Sequence, residues 1–156
     1  MTIARVARFT YVSCYLDDRR VGLDLQQVER VIRAVEVTSL PQLTTPSILG
    51  TINYHGRSVA VLNLRRFLRL PEREVLPEDK MVMLHTERGM LAVVVDDVVD
   101  VIEASELDIL QTGGDGRSTG APPMVRTKDG VFYFRSLVGL LTEVEYKTLM
   151  QAMARS

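Results

Sequence analysis

The sequence predicts an all-β fold with short helices, in which two small barrels share one hydrophobic core and a C-terminal helix completes the chain. Two observations lead to this prediction. The apolar segments are short and are separated by turns rich in Gly and Pro, which is typical of small barrels. The chain also contains an internal repeat, and each half supplies only about five strands, too few to enclose a large core alone.

The repeat has a constant offset of 70 residues and aligns residues 23–40 with residues 93–110. Identical residues meet at six aligned positions: Val28 with Val98, Val31 with Val101, Ile32 with Ile102, Ala34 with Ala104, Glu36 with Glu106, and Leu40 with Leu110. Residues 56–68 likewise resemble residues 130–141, each being a turn, a strand and a short helix. The chain therefore consists of two related halves, which we expect to meet along one apolar seam.

The first half begins with a predicted hairpin. Residues 9–16 are rich in aromatic and β-branched residues, a polar turn follows at 17–20, and residues 21–25 form the returning strand. The next segment, residues 26–32, places Val28, Val31 and Ile32 on one helical face and predicts a short amphipathic helix. A brief extended piece at 38–40 then ends at a proline.

Residues 48–68 predict a second hairpin followed by a helix. The connection is His55-Gly56, and two-residue hairpin turns need positive φ, which Gly tolerates freely and His better than most residues. The returning strand is apolar on both faces, so we expect it to be buried. Asn63 is a candidate N-cap, and Pro71 ends the short helix that follows.

The second half repeats this plan after a charged connector at residues 72–79. The predicted elements are strands at 80–86 and 90–95, an amphipathic segment capped by Asp96, an extended piece at 107–110, a mobile Gly-rich loop at 112–123, a hairpin at 124–127 and 131–134, and a short helix at 137–141. Thr142 and Glu145 have capping-box spacing and open a C-terminal helix over 142–156. Its stripe of Tyr146, Leu149, Met150 and Met153 predicts packing against the core.

Composition and charge exclude several functional classes. A net charge of -1 and a pI near 6.1 give no electrostatic reason to bind nucleic acid or an anionic membrane. Arg65, Arg66 and Arg69 cluster, but a solvated helix face is the favoured interpretation. No apolar run approaches the roughly 18 residues that span a bilayer, and no signal peptide is evident, which predicts a cytoplasmic protein. The single cysteine, Cys14, fits a reducing compartment and a buried strand position.

Candidate catalytic, cofactor and metal residues are few. His55 and His85 are the only histidines, and neither they nor Cys14 stand in a metal or nucleophile motif. A weak cation site is one interpretation of Asp96, Asp97, Asp100 and Glu103, although a solvated helix face with a cap is favoured. Residues 112–120 fail the P-loop pattern, because Gln111 occupies the position of the first Gly. We therefore expect a binding scaffold without cofactor rather than an enzyme.

The pattern P-x-I-L-G-x-I-N-x-x-G-x-x-V-x-V-L-N-L over residues 46–64 resembles the CheW-like domain of bacterial chemotaxis coupling proteins and kinase regulatory domains. The resemblance extends over residues 9–141, as a single domain of two pseudo-repeated halves. It implies two intertwined five-stranded, SH3-like barrels around a common core. It also implies an adaptor that joins the cytoplasmic tip of a methyl-accepting chemoreceptor to a CheA-type histidine kinase, with receptor contact at Gly50, Asn53, His55 and Gly56.

The sequence departs from the family pattern at several positions. Family members usually carry Arg where His55 stands, often Asp in place of Asn63, and often an acidic residue near Arg135-Ser136. Imidazole lacks the permanent charge and the fork of donors of a guanidinium. These departures favour a paralogue in a pilus-motility or other alternative chemosensory pathway. Gly50 and Gly56 can equally be explained as simple turn residues. The same residues are also compatible with an adaptor that fills array positions without contacting a kinase, and with a small ligand-binding barrel.

Overall fold

The computed structural model describes residues 7–43, 45–110 and 123–154. The predicted loop at 112–123 lies outside these residues except for Pro123. The described strands are β1 (Arg8–Leu16), β2 (Arg19–Asp24), β3 (Val28–Arg33), β4 (Ile48–Tyr54), β5 (Arg57–Leu62), β6 (Lys80–Thr86), β7 (Gly89–Val95), β8 (Asp97–Ser105), β9 (Ile109–Leu110), β10 (Met124–Thr127) and β11 (Phe132–Phe134). The α-helices are α1 (Leu64–Phe67) and α2 (Glu143–Ala154), and short 3-10 helices occupy Leu25–Gln27, Glu106–Asp108 and Val138–Leu140.

The strands form two mixed sheets whose composition follows the sequence repeat. One sheet has the order β8-β1-β2-β11-β10-β9 and the other has the order β3-β6-β7-β5-β4. The repeat aligns β2 with β7, β3 with β8 and β5 with β11, so the first five strands of one sheet correspond to the five strands of the other. Each sheet contains one parallel pair, β11 with β2 and β5 with β7. Strand β3 of the first half pairs with β6 of the second half, and β8 of the second half pairs with β1 of the first. Each sheet therefore contains strands from both halves.

This exchange confirms the predicted all-β fold of two intertwined halves. The hydrogen-bonded order of each sheet is open among the described residues, so the two sheets are not closed barrels. Their inner faces bury one shared cluster that draws on both halves: Val12, Leu16, Val21 and Leu23 meet Leu62, Leu64, Val82, Leu84, Val93 and Phe134. Burial of this apolar surface is the main stabilising contribution to the fold.

Two segments predicted as amphipathic helices are strands instead. Residues 26–32 form a 3-10 turn followed by β3, and the segment after Asp96 is β8. Both strands carry a register irregularity against their partners, at Val28/Arg30 and beside Ser13/Cys14. An extra residue in a strand shifts the alternation of buried and exposed positions. In the sequence, the shifted alternation resembles the spacing of apolar residues in an amphipathic helix. In the structure, both segments are strands because β3 pairs with β6 and β8 pairs with β1.

The C-terminal helix begins as predicted. The Thr142 side chain accepts a bond from the Glu145 amide, and the Glu145 carboxylate accepts one from the Thr142 amide, at 3.0 Å each. Leu149 is fully buried, Tyr146 and Met153 pack against the shared core, and Met150 stays partly exposed. In the described part of the chain, no helix combines the length and apolar character needed to cross a membrane.

Candidate functional site

The turn between β4 and β5 presents three of the four residues that the family pattern indicates. His55 and Gly56 have φ of 50° and 80°, the positive values that a two-residue hairpin turn of type I′ requires. The Asn53 side chain accepts a hydrogen bond from the Gly56 amide at 3.0 Å. The Tyr54 and His55 rings meet edge to face, with centroids 4.4 Å apart. Asn53, His55 and Gly56 are all exposed, so a partner can reach the His55 ring and the side-chain nitrogen of Asn53.

Gly50, the fourth residue, is buried inside β4, where it allows the backbone of Thr38 to approach closely. Thr38 and Thr51 exchange two backbone hydrogen bonds of 2.8 Å beside it. A Cβ at position 50 would lie 2.2 Å from the Thr38 carbonyl oxygen, and φ is 149°. Only glycine allows the two backbones to come this close. Gly50 is therefore required for the close contact between β4 and the Thr38 segment. Gly56 has open space around it, and its role is to adopt the positive φ of the turn.

A groove of about 410 Å³ lies beside this turn. Its lining comes from the 38–42 segment, from Thr51, Ile52, Asn53 and Ser58 of the hairpin, and from Ala152 of α2. Among the described residues, its lining contains both hydroxyl and apolar side chains and no ionisable group. This composition suits contact with another protein more than acid–base chemistry.

A partly buried ion network links α1, the connector and the turns that follow β1 and β7. The Arg65 guanidinium of α1 donates two hydrogen bonds to Asp17, of 3.0 and 2.9 Å, one of 3.0 Å to Asp96, and one of 3.1 Å to the Pro71 carbonyl. Arg73 of the connector binds Asp79 through two bonds of 2.9 Å and Asp96 through one of 2.6 Å. The network joins the first half (Asp17 and Arg65) directly to Asp96 of the second half, and the connector adds Arg73 as a further partner of Asp96.

The contacts of this region correct three predictions made from the sequence. Only 10% of the Arg65 side chain is exposed, so Arg65 does not belong to a solvated helix face. Asp96 accepts bonds from Arg65, Arg73 and the Asp17 amide, and it caps no helix. The Asn63 side chain makes no cap either, since it donates to the Pro46 carbonyl and to Glu72.

The electrostatics of the network follow from these contacts. The hydrogen bond from Arg65 lowers the pKa of Asp17. Burial raises the pKa of Asp79, but hydrogen bonds from Arg73 and from the Leu76 amide outweigh burial and leave that pKa below its ordinary value. The two carboxylates are thus held in their charged form by their partners.

The other candidate chemical residues do not converge. Asp97, Asp100 and Glu103 lie along the β8 edge strand rather than on a helical face with Asp96. Among the described residues, no group of three or more His, Cys, Asp or Glu side chains could hold a metal ion. Cys14 is fully buried, and burial raises its pKa to about 12, so its thiol is unreactive. His85 is a surface residue, and its Nε2 lies 3.0 Å from the Glu29 carboxylate.

Comparison with known proteins gives one family. Residues 10–144 match the model of the CheW-like domain. Protein FrzA of Myxococcus xanthus is 35% identical over 63% of this chain and 62% of its own length. Chemotaxis protein CheW of Bacillus subtilis is 28% identical over 60% of each chain. The chain thus spans about three fifths of the length of these two relatives.

Two further comparisons cover more of the chain. Chemotaxis protein CheW of Thermotoga maritima is 23% identical over 89% of this chain and 91% of its own length. The crystal structure of the scaffolding protein TtCheW from Thermoanaerobacter tengcongensis superposes with a TM-score of 0.67. It is 20% identical in sequence and covers 88% of this chain and 95% of that structure. At this identity, the structural likeness establishes the fold.

Proposed function

The chain belongs to the CheW-like domain family, and from this membership we propose that it is a non-catalytic coupling adaptor. In this proposal, one surface holds the cytoplasmic tip of a methyl-accepting chemoreceptor and another holds the regulatory domain of a CheA-type histidine kinase. The adaptor works in the cytoplasm without a cofactor. It changes kinase activity by fixing the positions of its partners and not by reacting with a substrate.

The observation that carries the proposal is the exposed turn of the β4–β5 hairpin. Asn53, His55 and Gly56 lie on a turn whose geometry is fixed by two positive φ values and by the bond from the Gly56 amide to Asn53. The strands beneath it are buried, and Gly50 locks β4 against Thr38. A rigid support reduces the entropy that a binding surface loses on association. This arrangement favours recognition of a protein partner.

Kinase binding is tested by titration calorimetry of the full chain with the regulatory domain of the histidine kinase encoded in the same organism. We expect a saturable complex in the absence of added metal or nucleotide. The absence of both heat and complex formation at high micromolar concentration would contradict the proposal. A thermal-shift screen with divalent metals and nucleotides separates the adaptor from a small ligand-binding barrel, because an adaptor should not be stabilised by them.

Receptor binding is tested with a matched pair of histidine variants. We expect His55→Ala to weaken co-sedimentation with receptor arrays by about tenfold, in the range of a moderate interface contact. His85→Ala is the control, because His85 is equally a surface histidine but faces Glu29. If both variants co-sediment with receptor arrays equally well, His55 is not part of the receptor-binding surface.

A second candidate function is coupling in a pilus-motility or other alternative chemosensory pathway. The observation that favours it is His55 at a position where family members usually carry Arg. A receptor suited to imidazole would differ from one suited to a guanidinium, which carries a permanent charge and five donors. We expect His55→Arg to strengthen binding to a receptor of the flagellar type. An unchanged or weaker interaction in a receptor-array pull-down would argue against this interpretation of His55.

A further inference from the structure

A pocket of about 200 Å³ lies at one end of the sheet that does not contain the β4–β5 hairpin. It is lined by residues from β1, β2, β9 and β11, from the 3-10 helix that follows β8 and from the residue after β11: Phe9, Asp24, Glu106, Ile109, Tyr133 and Arg135. The lining therefore combines an apolar wall with two carboxylates and one guanidinium. Aromatic rings beside carboxylates are a combination that binds organic cations.

Phe9 and Tyr133 form the aromatic wall of this pocket. Their ring centroids are 4.6 Å apart, and the ring planes are tilted by 38°. Only 4% of Tyr133 is exposed, and its hydroxyl group makes no hydrogen bond among the described residues. Buried tyrosine hydroxyls usually have a hydrogen-bond partner. Because Tyr133 lines the pocket, a ligand bound there can supply the missing partner.

The charges around the wall favour a cation. Arg135 lies 4.0 Å from Glu106, at the outer limit of an ion pair. Asp24 makes no ion pair among the described residues, and its carboxylate accepts one hydrogen bond of 3.0 Å, from the Gln26 amide. Burial raises the pKa of Tyr133 to about 12; Asp24 and Glu106 raise it further, and Arg135 opposes them. Two carboxylates against one guanidinium leave an excess of negative charge at the pocket.

An arginine side chain already fills the corresponding place in the first half. The offset of 70 residues and the register of the two parallel strand pairs align three lining residues with residues of the first half: Phe9 with Asp79, Asp24 with Val94, and Arg135 with Asn63. These three residues of the first half line one small pocket together with Arg73. The Arg73 guanidinium donates two hydrogen bonds of 2.9 Å to Asp79.

The two places use the same chemistry at exchanged positions. The first half has a carboxylate at Asp79 and an apolar side chain at Val94, whereas the second half has an aromatic ring at Phe9 and a carboxylate at Asp24. A guanidinium can pair with either carboxylate, and it also stacks on an aromatic ring. The residue that aligns with Arg73 is Ile3, which has no charge. The aligned position of this chain therefore cannot supply the guanidinium in the second half.

We propose that this pocket binds the guanidinium group of an arginine side chain presented by a partner protein. The guanidinium stacks on the wall of Phe9 and Tyr133, pairs with the Asp24 carboxylate and donates a hydrogen bond to the Tyr133 hydroxyl. The pocket and the β4–β5 turn belong to different sheets, so this site is additional to the surfaces proposed above. A single side chain in an open pocket binds weakly, and we expect a dissociation constant on the order of 1 mM for the isolated group.

The main test is a titration of the isotope-labelled full chain with N-acetylarginine amide, followed by NMR. We expect saturable shifts at the backbone amides of Phe9, Glu106 and Tyr133. The matched control ligand is N-acetylcitrulline amide, in which an uncharged urea group of nearly the same shape replaces the guanidinium. It should bind at least about tenfold more weakly, because the ion pair and the cation–π contact are both lost.

Two variants test the assigned contacts. Asp24→Asn keeps an acceptor for the Gln26 amide but removes the charge, so we expect the fold to survive and the affinity for N-acetylarginine amide to fall about tenfold. Asp97→Asn is the control, because it removes an exposed carboxylate of β8 that does not line the pocket, and it should bind like wild type. Phe9→Leu keeps an apolar contact but removes the ring, and it should weaken binding several-fold. Circular dichroism checks the fold of each variant.

A further variant distinguishes a partner from this chain as the source of the guanidinium. Arg5 lies outside the described residues and is only four positions before Phe9. If Arg5 competed for the pocket, Arg5→Gln would bind N-acetylarginine amide more tightly than wild type. We expect the affinity to be unchanged, which supports an arginine from a partner.

Four results would overturn the proposal. They are the absence of saturable shifts at the pocket well above 1 mM ligand, equal affinity for the arginine and citrulline compounds, wild-type affinity of a folded Asp24→Asn variant, and tighter binding by Arg5→Gln. The measurements need neither a receptor nor a kinase, so their outcome is independent of the adaptor function proposed above.

Discussion

Replacing Arg65 with methionine is expected to reduce the free energy of unfolding by roughly 3 kcal/mol, the lower end of the range for breaking a buried ion pair. Methionine keeps the length of the side chain but removes four hydrogen bonds, three of them to carboxylates. The lower end applies because Asp17 and Asp96 have side chains 40% and 27% exposed. Water and, for Asp96, the remaining bond from Arg73 therefore compensate part of the loss.

Urea unfolding measures this effect against a control in the same helix. Arg66 is exposed and makes no ion pair among the described residues, so Arg66→Met should change stability by less than about 0.5 kcal/mol. With an m-value of about 2 kcal/mol/M, the Arg65→Met midpoint should fall by about 1.5 M. Asp17→Asn should cost less in the Arg65→Met background than in wild type, because its partner is already gone. Equal midpoints for the two arginine variants would refute the view that the network joins the halves.

Three further predictions concern the backbone, the acid range and the C-terminal helix. Gly50→Ala should destabilise the protein by more than about 2 kcal/mol, because the new methyl group would clash with the Thr38 backbone. Gly56→Ala has open space for the methyl group and should cost only about 1 kcal/mol, because φ is positive there. Thermal unfolding that ranks the two variants in the opposite order would contradict this prediction. Asp79→Asn should destabilise the protein at pH 7, and the difference in unfolding free energy from wild type should shrink below about pH 4. The reason is that the pKa of Asp79 is lower in the folded than in the unfolded state, so the charged carboxylate contributes stability above the unfolded-state pKa and loses it as the pH falls. A difference that stays constant from pH 7 to 3 in denaturant unfolding would be inconsistent with this prediction. Thr142→Ala should cost about 1 kcal/mol by removing the capping box. Thr148→Ala, at a half-buried position in the same helix where the hydroxyl bonds only the Val144 carbonyl among the described residues, should be nearly neutral. Urea midpoints that agree between the two variants would count against the cap.

The fold class followed from the sequence because its signals are local or repeated. The turn at His55-Gly56, the capping box at Thr142 and the offset of 70 residues each depend on a few neighbouring positions or on direct self-comparison. The structure has the predicted turn and cap, and its sheets follow the repeat. The exposed turn residues of the candidate site could be indicated for the same reason, because hairpin geometry determines which side chains point outward.

The errors have a common physical cause, which is contact between residues distant in the sequence. The strands β3 and β8 contain apolar residues at helical spacing, and only their pairing with β6 and β1 reveals them as bulged strands. Arg65 lies in a basic cluster, which predicts a solvated side chain. Its acidic partners, Asp17 and Asp96, are 48 and 31 residues away in the sequence, and no local sequence pattern predicts these contacts. One retrospective signal exists, since Asp17 and Asp96 both follow the ends of predicted strands, where turns could bring them together.

The exchange of strands between halves gives the ion network a role beyond stability. Neither half has a complete sheet of its own, so the two halves cannot move as independent bodies without breaking the β3–β6 and β1–β8 pairs. The network crosses the same boundary with charged side chains, which are sensitive to orientation in a way that apolar contacts are not. A coupling adaptor of the kind proposed above needs this rigidity, because a partner held at one surface can influence a partner at another only through a body that stays rigid between them.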